Sequence, residues 1–125
     1  MQLHTKPIGS EISWFPGCDI VEISNSVSGL RVVVAATRDS DRFAEIHFES
    51  ARAFQVLEEG DLLGYWDPPL TAKYLVYKVE AGGWRERVAD HFLQSTAPSM
   101  PEWLIVTECL CVNVLSACTP HIREY

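Results

Sequence analysis

Short runs of apolar and β-branched residues, separated by turn-forming Gly, Pro, Asn and Ser, recur along most of this 125-residue chain. The segment 43–49 shows the strictest pattern, because apolar Ile46 and Phe48 alternate with polar Glu45, His47 and Glu49. Successive side chains of a β-strand point to opposite faces. The alternation therefore predicts an antiparallel strand with one face in the core and the other in water.

Four other runs predict two strand pairs. Residues 19–24 and 30–37 are rich in β-branched side chains, and the Asn, Ser and Gly residues between them favour a hairpin turn. Residues 102–106 and 111–116 are apolar on both faces. Strands of that kind are typical of the middle of a sheet, so we expect these two to pair with each other.

The middle of the chain gives a mixed signal. Residues 73–80 alternate like a strand, whereas Trp84, Val88 and Phe92 recur at the spacing of a helix, which predicts a helix over 84–93. Residues 50–65 fit both periods, and we favour a strand that ends near Leu57, followed by a short helical turn.

These elements predict a single domain over residues 1–125. We expect an α+β, mainly β fold: an antiparallel twisted sheet or sandwich of about six or seven strands with one covering helix. Residues 1–10 and 119–125 are expected to be loose tails. The sequence has no apolar run long enough for a membrane span and no leader at its start, so we expect a cytoplasmic location, with reduced cysteines and no membrane contact.

Charge is the most informative feature for function. The formal net charge is −7, and residues 39–67 contain eight acids against two bases, whereas the rest of the chain is nearly neutral. This balance disfavours binding to nucleic acid, which requires a basic surface. An acidic surface instead favours a basic protein partner, although acids that only keep the domain soluble explain the same surplus.

Two residue sets contain possible metal ligands. Cys109, Cys111 and Cys118 with His121 are ligand types that zinc uses, but the usual two-residue spacing between cysteines is absent and Cys111 lies in an apolar strand. Glu45, His47 and Glu49 share a strand face, on which they could bind a divalent cation or simply be solvated. We predict no metal, no cofactor and no catalytic residue, and we expect Cys18, which follows a Pro-Gly turn, to be the most exposed thiol.

Residues 46–116 resemble small bacterial immunity proteins that are encoded beside polymorphic or contact-dependent growth-inhibition toxins. The resemblance lies in the strand-like segments 46–50, 74–79, 103–106 and 111–115, in the Glu-Gly-Asp motif at 59–61 and in the Gly-Gly-Trp motif at 82–84. It implies an inhibitor that binds a basic, nuclease-like toxin domain and blocks it by covering its site.

We therefore predict an immunity-type inhibitor with an acidic partner-binding surface. Its expected contact residues are acids of the 39–67 segment and two aromatic residues that could anchor the interface: Glu45, Glu49, Glu58, Glu59, Asp61, Tyr65 and Trp66. The alternative is a small metal-binding or ligand-binding β-rich domain, which could be an enzyme. The oligomeric state stays open at this stage, because an exposed sheet edge can pair with another chain.

Overall fold

A computed structural model of the protein describes residues 4–12, 18–36, 41–58, 74–81, 83–84, 100–108 and 110–125. These ranges contain nine β-strands and no helix. The strands are β1 (His4–Ile8), β2 (Cys18–Ser26), β3 (Gly29–Ala36), β4 (Phe43–Phe48), β5 (Ala53–Glu58), β6 (Val76–Ala81), β7 (Glu102–Val106), β8 (Leu110–Leu115) and β9 (His121–Glu124).

The strands form two antiparallel sheets. Five strands make one sheet in the order β1-β6-β7-β8-β5, and four make the other in the order β2-β3-β4-β9. The prediction of a mainly β, antiparallel fold is confirmed, with more strands than the six or seven expected. The helix predicted over 84–93 lies, beyond Trp84, outside the described residues, and so does the helical turn predicted after Leu57.

The hairpin predicted between residues 19 and 37 is present as β2 and β3. Its turn ends at Gly29, whose φ of 111° lies in the left-handed region that side chains rarely adopt. A Cβ atom at this position would also overlap the carbonyl oxygen of Phe48 on β4. Glycine is therefore required here for two reasons, its backbone conformation and the close approach of the next strand.

One hydrophobic cluster draws its members from both sheets. Ile46 and Phe48 on β4 are fully buried, as their alternation with polar residues predicts. The Phe48 ring lies 6.4 Å from the Trp103 ring of the other sheet, measured between centroids. The Trp103 indole N–H donates a 3.0 Å hydrogen bond to the Ser116 carbonyl, so the polar edge of this buried ring has a partner.

The central strands β7 and β8 are buried on both faces, as their sequence predicts. Every residue of β7 is buried, and in β8 only Leu110 is half-buried. Their pairing also places Trp103 opposite Val114 and Ile105 opposite Val112, which builds an apolar layer toward the four-stranded sheet.

The expectation of loose tails is wrong for residues 4–8 and 121–124. The first of these segments pairs with β6 and the second with β4, each at the edge of its sheet. Edge pairing needs only backbone donors and acceptors on one side and few buried side chains. Ile122 is the one half-buried residue of β9, so the sequence of this segment carries almost no alternation to detect.

Removal of the Phe48 ring tests whether the contact between the sheets holds the fold. We expect Phe48→Ala to lower the free energy of unfolding by about 3–5 kcal/mol, because a fully buried aromatic ring is lost and a cavity remains. Denaturant unfolding followed by tryptophan fluorescence measures this change. Val27→Ala is the control, because Val27 is fully exposed in the β2–β3 turn and its truncation should change stability by no more than about 0.5 kcal/mol.

Candidate functional site

The predicted contact acids that the structure describes do not lie on one surface. Glu45 is in the middle of β4, on the side of the four-stranded sheet that faces away from the other sheet. Glu49 directly follows β4, and Glu58 ends β5 in the five-stranded sheet. Glu59, Asp61, Tyr65 and Trp66 lie outside the described residues.

The strand registers place Glu49 and Glu58 at opposite ends of the molecule. Glu58 is paired with Leu110, at the end where β7 turns into β8. The chain next to Glu49 is bound at the other end of β8, where the Ser116 hydroxyl donates to the Ser50 carbonyl. A strand of six residues, such as β5, separates its two ends by about 20 Å.

The end that carries Glu58 collects acids from both sheets. The Glu108 N–H donates a 3.2 Å hydrogen bond to the Cys18 carbonyl, which ties the β7–β8 turn to the start of β2. Cys18 is paired with Ala36, whose N–H donates to the Arg42 carbonyl at 3.1 Å. We name this region the acidic end, and its acids are Asp19, Asp41, Glu58, Glu108 and Glu124.

The acidic end is exposed and has little opposing charge. All its acids are exposed except Asp19, which is half-buried. Among the described residues, Arg42 and Arg123 are the bases that lie beside them in the chain, and Arg123 is paired with Glu45 on β4. Lys6 and Lys78, by contrast, are paired with each other across β1 and β6 and line a cleft of about 490 Å³ together with Glu80 and Glu102, toward the other end.

Hydrogen bonds fix Asp19 in place at this end. Its Oδ1 atom accepts the Ile20 N–H at 2.8 Å and lies 3.0 Å from the Thr107 hydroxyl. That hydroxyl also lies 2.6 Å from the Leu110 carbonyl, so its single proton is shared between two acceptors, and it accepts the Leu110 N–H at 3.2 Å. Asp19 of the four-stranded sheet therefore holds the β7–β8 turn of the five-stranded sheet, and this part of the acidic end has a defined structure.

The outer face of the four-stranded sheet is, in contrast, balanced in charge. Arg31 forms ion pairs with Glu22 and with Glu45, whose carboxylate lies 3.0 Å from the Arg31 Nε atom. Glu45 also accepts a 2.6 Å hydrogen bond from the Tyr125 hydroxyl. These contacts, with the Tyr125 hydrogen bond as the largest cause and Arg31 next, lower the pKa of Glu45 below its ordinary value of 4.5. Glu45 is therefore already neutralised by its own sheet.

The other members of the Glu45–His47–Glu49 stripe have separate partners. His47 Nε2 lies 2.7 Å from the Ser28 carbonyl oxygen, and Glu49 lies 3.8 Å from the Nε2 atom of His121 on the neighbouring strand. The stripe is a true strand face, as predicted, but its three side chains turn to three different neighbours. Within the described ranges, no group of three or more His, Cys, Asp or Glu residues is arranged to hold a metal ion.

The prediction of an exposed thiol at Cys18 is wrong. Cys18, which we expected to be the most exposed thiol, is fully buried at the start of β2. Burial, with smaller contributions from the nearby charges of Glu108 and Asp19, raises the pKa of this thiol to about 12. Cys111 is buried in β8 and Cys118 is half-buried, whereas Cys109 lies outside the described residues.

A buried polar group lies on the five-stranded sheet, and none of the sequence predictions includes it. Glu102 is only 3% exposed, and its Oε2 atom accepts the Trp84 N–H at 2.8 Å and the Asn113 amide at 3.3 Å. Asn113 accepts in turn a 3.1 Å hydrogen bond from Gln55. A polar residue inside an apolar strand is the one signal that could have revealed Asn113. Glu102, Asn113 and Gln55 are joined by hydrogen bonds across neighbouring strands. We therefore assign this group to the stability of the sheet.

Comparison with protein-family models, with curated proteins and with solved structures gives no match to this chain. What the site can do is therefore inferred from its own residues. In the described part of the chain, no helix is long and apolar enough to cross a membrane.

Thiol titration tests the burial of Cys18. We expect Cys18→Ala to leave the number of reactive thiols in the native protein at pH 8 unchanged, because a protonated, buried thiol is a poor nucleophile. After unfolding, the wild type should show four thiols and the variant one fewer. Cys118→Ala is the matched comparison, and it should remove a slowly reacting thiol from the native protein. A native-state loss in Cys18→Ala would contradict the assignment.

The Tyr125 hydroxyl is expected to control the titration of Glu45. Tyr125→Phe should raise the pKa of Glu45 and lower stability at pH 7 by about 0.5–1 kcal/mol. Because the folded pKa of Glu45 is depressed, its contribution is present above pH 4.5 and is lost as the pH falls through the folded value. The difference between variant and wild type should therefore shrink in acid.

Carboxyl NMR titration and urea unfolding at several pH values measure these two effects. Tyr74→Phe makes the same atomic change at a half-buried ring for which the described residues show no hydroxyl hydrogen bond. It should leave the pKa of Glu45 where it is. An equal response of both variants would mean that the hydroxyl of Tyr125 is not the cause.

Proposed function

We propose that this protein is an immunity-type inhibitor that binds a basic, nuclease-like toxin domain through the acidic end and acts in the cytosol. The observation that carries the proposal is topological. The acid-rich segment 39–67 reaches β4 at the acidic end with Asp41, and it leaves β5 at the same end with Glu58. At this end, Glu108 of the β7–β8 turn adds a further acid to those of the 39–67 segment.

The chemistry of the acidic end suits a partner that carries clustered Lys or Arg. A rigid group of like charges with few opposing bases raises the local concentration of a basic surface and speeds its approach. Nuclease domains need basic surfaces to hold phosphates. Inhibition would follow from covering such a surface, which needs no catalytic group in the inhibitor.

Only some of the predicted contact residues belong to the proposed binding surface. Glu58 belongs to the acidic end, and Glu59 directly follows it in the sequence, with Asp61, Tyr65 and Trp66 a few positions further on. Glu45 is engaged by Arg31 and Tyr125, so we assign it to the stability of the sheet. Glu49 lies at the other end and is not part of the proposed surface.

Charge reversal at the acidic end tests the proposal. The proposal predicts that a large secreted protein is encoded next to this gene. The probe is the purified C-terminal domain of that protein, titrated against the inhibitor by calorimetry and by stopped flow. Glu58→Lys combined with Glu108→Lys should slow association roughly tenfold or more and flatten its dependence on salt. We expect the double variant also to lose protection of cells that express the toxin domain.

The control for this experiment is Glu80→Lys, alone and in combination with Glu49→Lys. These acids are exposed like Glu58 and Glu108 but lie outside the acidic end, so they match the change in net charge. They should alter association by less than about twofold, since screening weakens distant charges. If the control variants slowed association as much as the acidic-end variants, the effect would be due to net charge alone. Absence of binding in the wild type would overturn the proposal.

A further inference from the structure

In the part of the chain that the structure describes, the two sheets end in four edge strands, β1 and β5 in one sheet and β2 and β9 in the other. An edge strand presents unpaired N–H and C=O groups, to which any other extended chain can bind. Soluble proteins therefore protect their edges with prolines, lysines, bulges or very short strands. The four edges differ in whether they have these protective features.

Three of the four edges are protected. β1 carries Lys6 and Pro7, and its register shifts between His4 and Thr5. β2 has a register shift between Ile20 and Glu22, which disrupts a regular row of backbone groups. β9 is only four residues long.

The edge formed by β5 has none of these devices. Its six residues, Ala53–Glu58, contain neither proline nor lysine, and their pairing with β8 runs without a register shift. In the described ranges β8 is the one strand that pairs with β5. The strand also exposes apolar surface, because Val56 is 42% exposed and Phe54 and Leu57 are only half-buried.

The sequence of β5 is complementary to itself in an antiparallel register centred on Gln55. In this register Phe54 lies opposite Val56 of the second copy, which is a favourable aromatic–β-branched pair. Arg52 lies opposite Glu58, so opposite charges meet on both sides of the centre. All four of these side chains point to the same face, because their positions differ by two.

We propose that the protein forms a symmetric homodimer in which the β5 strands of two copies pair antiparallel across Gln55. The five-stranded sheets then join into one continuous sheet of ten strands. This inference is independent of the proposed function. One strand per copy is a small interface, below the size of a standard stable complex, so the dimer should depend on protein concentration.

Sedimentation velocity over a range of protein concentrations tests the dimer. The wild type should shift from monomer to dimer as concentration rises, and Val56→Lys should weaken the association at least roughly tenfold by placing a charge on the β5 edge. Val27→Lys introduces the same charge at a fully exposed turn position away from β5, and it should dimerise like the wild type. A monomeric wild type at every concentration would overturn the proposal.

A charge exchange tests the register. Glu58→Arg alone places two arginines opposite each other at each end and should weaken the dimer, whereas Arg52→Glu together with Glu58→Arg restores opposite charges and should recover it. Circular dichroism confirms that each variant is folded before it is compared. A dimer that both Val56→Lys and Glu58→Arg leave unchanged would use another surface, and this result would contradict the β5 pairing.

Discussion

The passage of the chain from one sheet to the other, between β4 and β5, sets the positions of most of the surface groups discussed above. Arg52 donates its N–H to the Leu115 carbonyl at 2.8 Å, and this bond fixes the start of β5 beside the end of β8. β5 must then run toward the β7–β8 turn, where Glu58 and Glu108 come together. Phe48, the last residue before this crossing, packs on Trp103 and so holds the two sheets at the same place.

The strand pairing also explains why Glu45 is neutralised within its own sheet. A residue in the middle of a sheet has neighbours on the adjacent strands, and Glu45 meets Arg31 on one side and is paired with Arg123 on the other. A residue at a strand end has fewer cross-strand neighbours. The surplus of acids over bases therefore persists at the ends of the strands, and the connections bring several such ends together in one place.

The difference between central and edge positions also determines which strands could be predicted from the sequence. The alternation around Ile46 and the apolar runs of β7 and β8 identify their strands, because burial on one or two faces imposes a period that can be read locally. The edge strand β9 has one half-buried residue and imposes no period. Likewise, the charge surplus of 39–67 is visible in the sequence, but its grouping with Asp19 and Glu108 depends on contacts between residues far apart in the chain, which no local pattern encodes.

The two proposals meet at Glu58, which belongs both to the acidic end and to the β5 edge. Antiparallel pairing about Gln55 would place the Glu58 residues of the two copies on opposite sides of the symmetry axis, each beside the Arg52 of the other copy. The two acidic ends would then point away from each other, so two basic partners could bind without contact. Arg52 would neutralise Glu58 but would leave Asp41 and Glu108 without a new counter-charge. Dimerisation would thus shift the centre of negative charge at the acidic end toward the four-stranded sheet. A basic partner should bind dimer and monomer with similar affinity if Glu108 and Asp41 contribute most of the attraction.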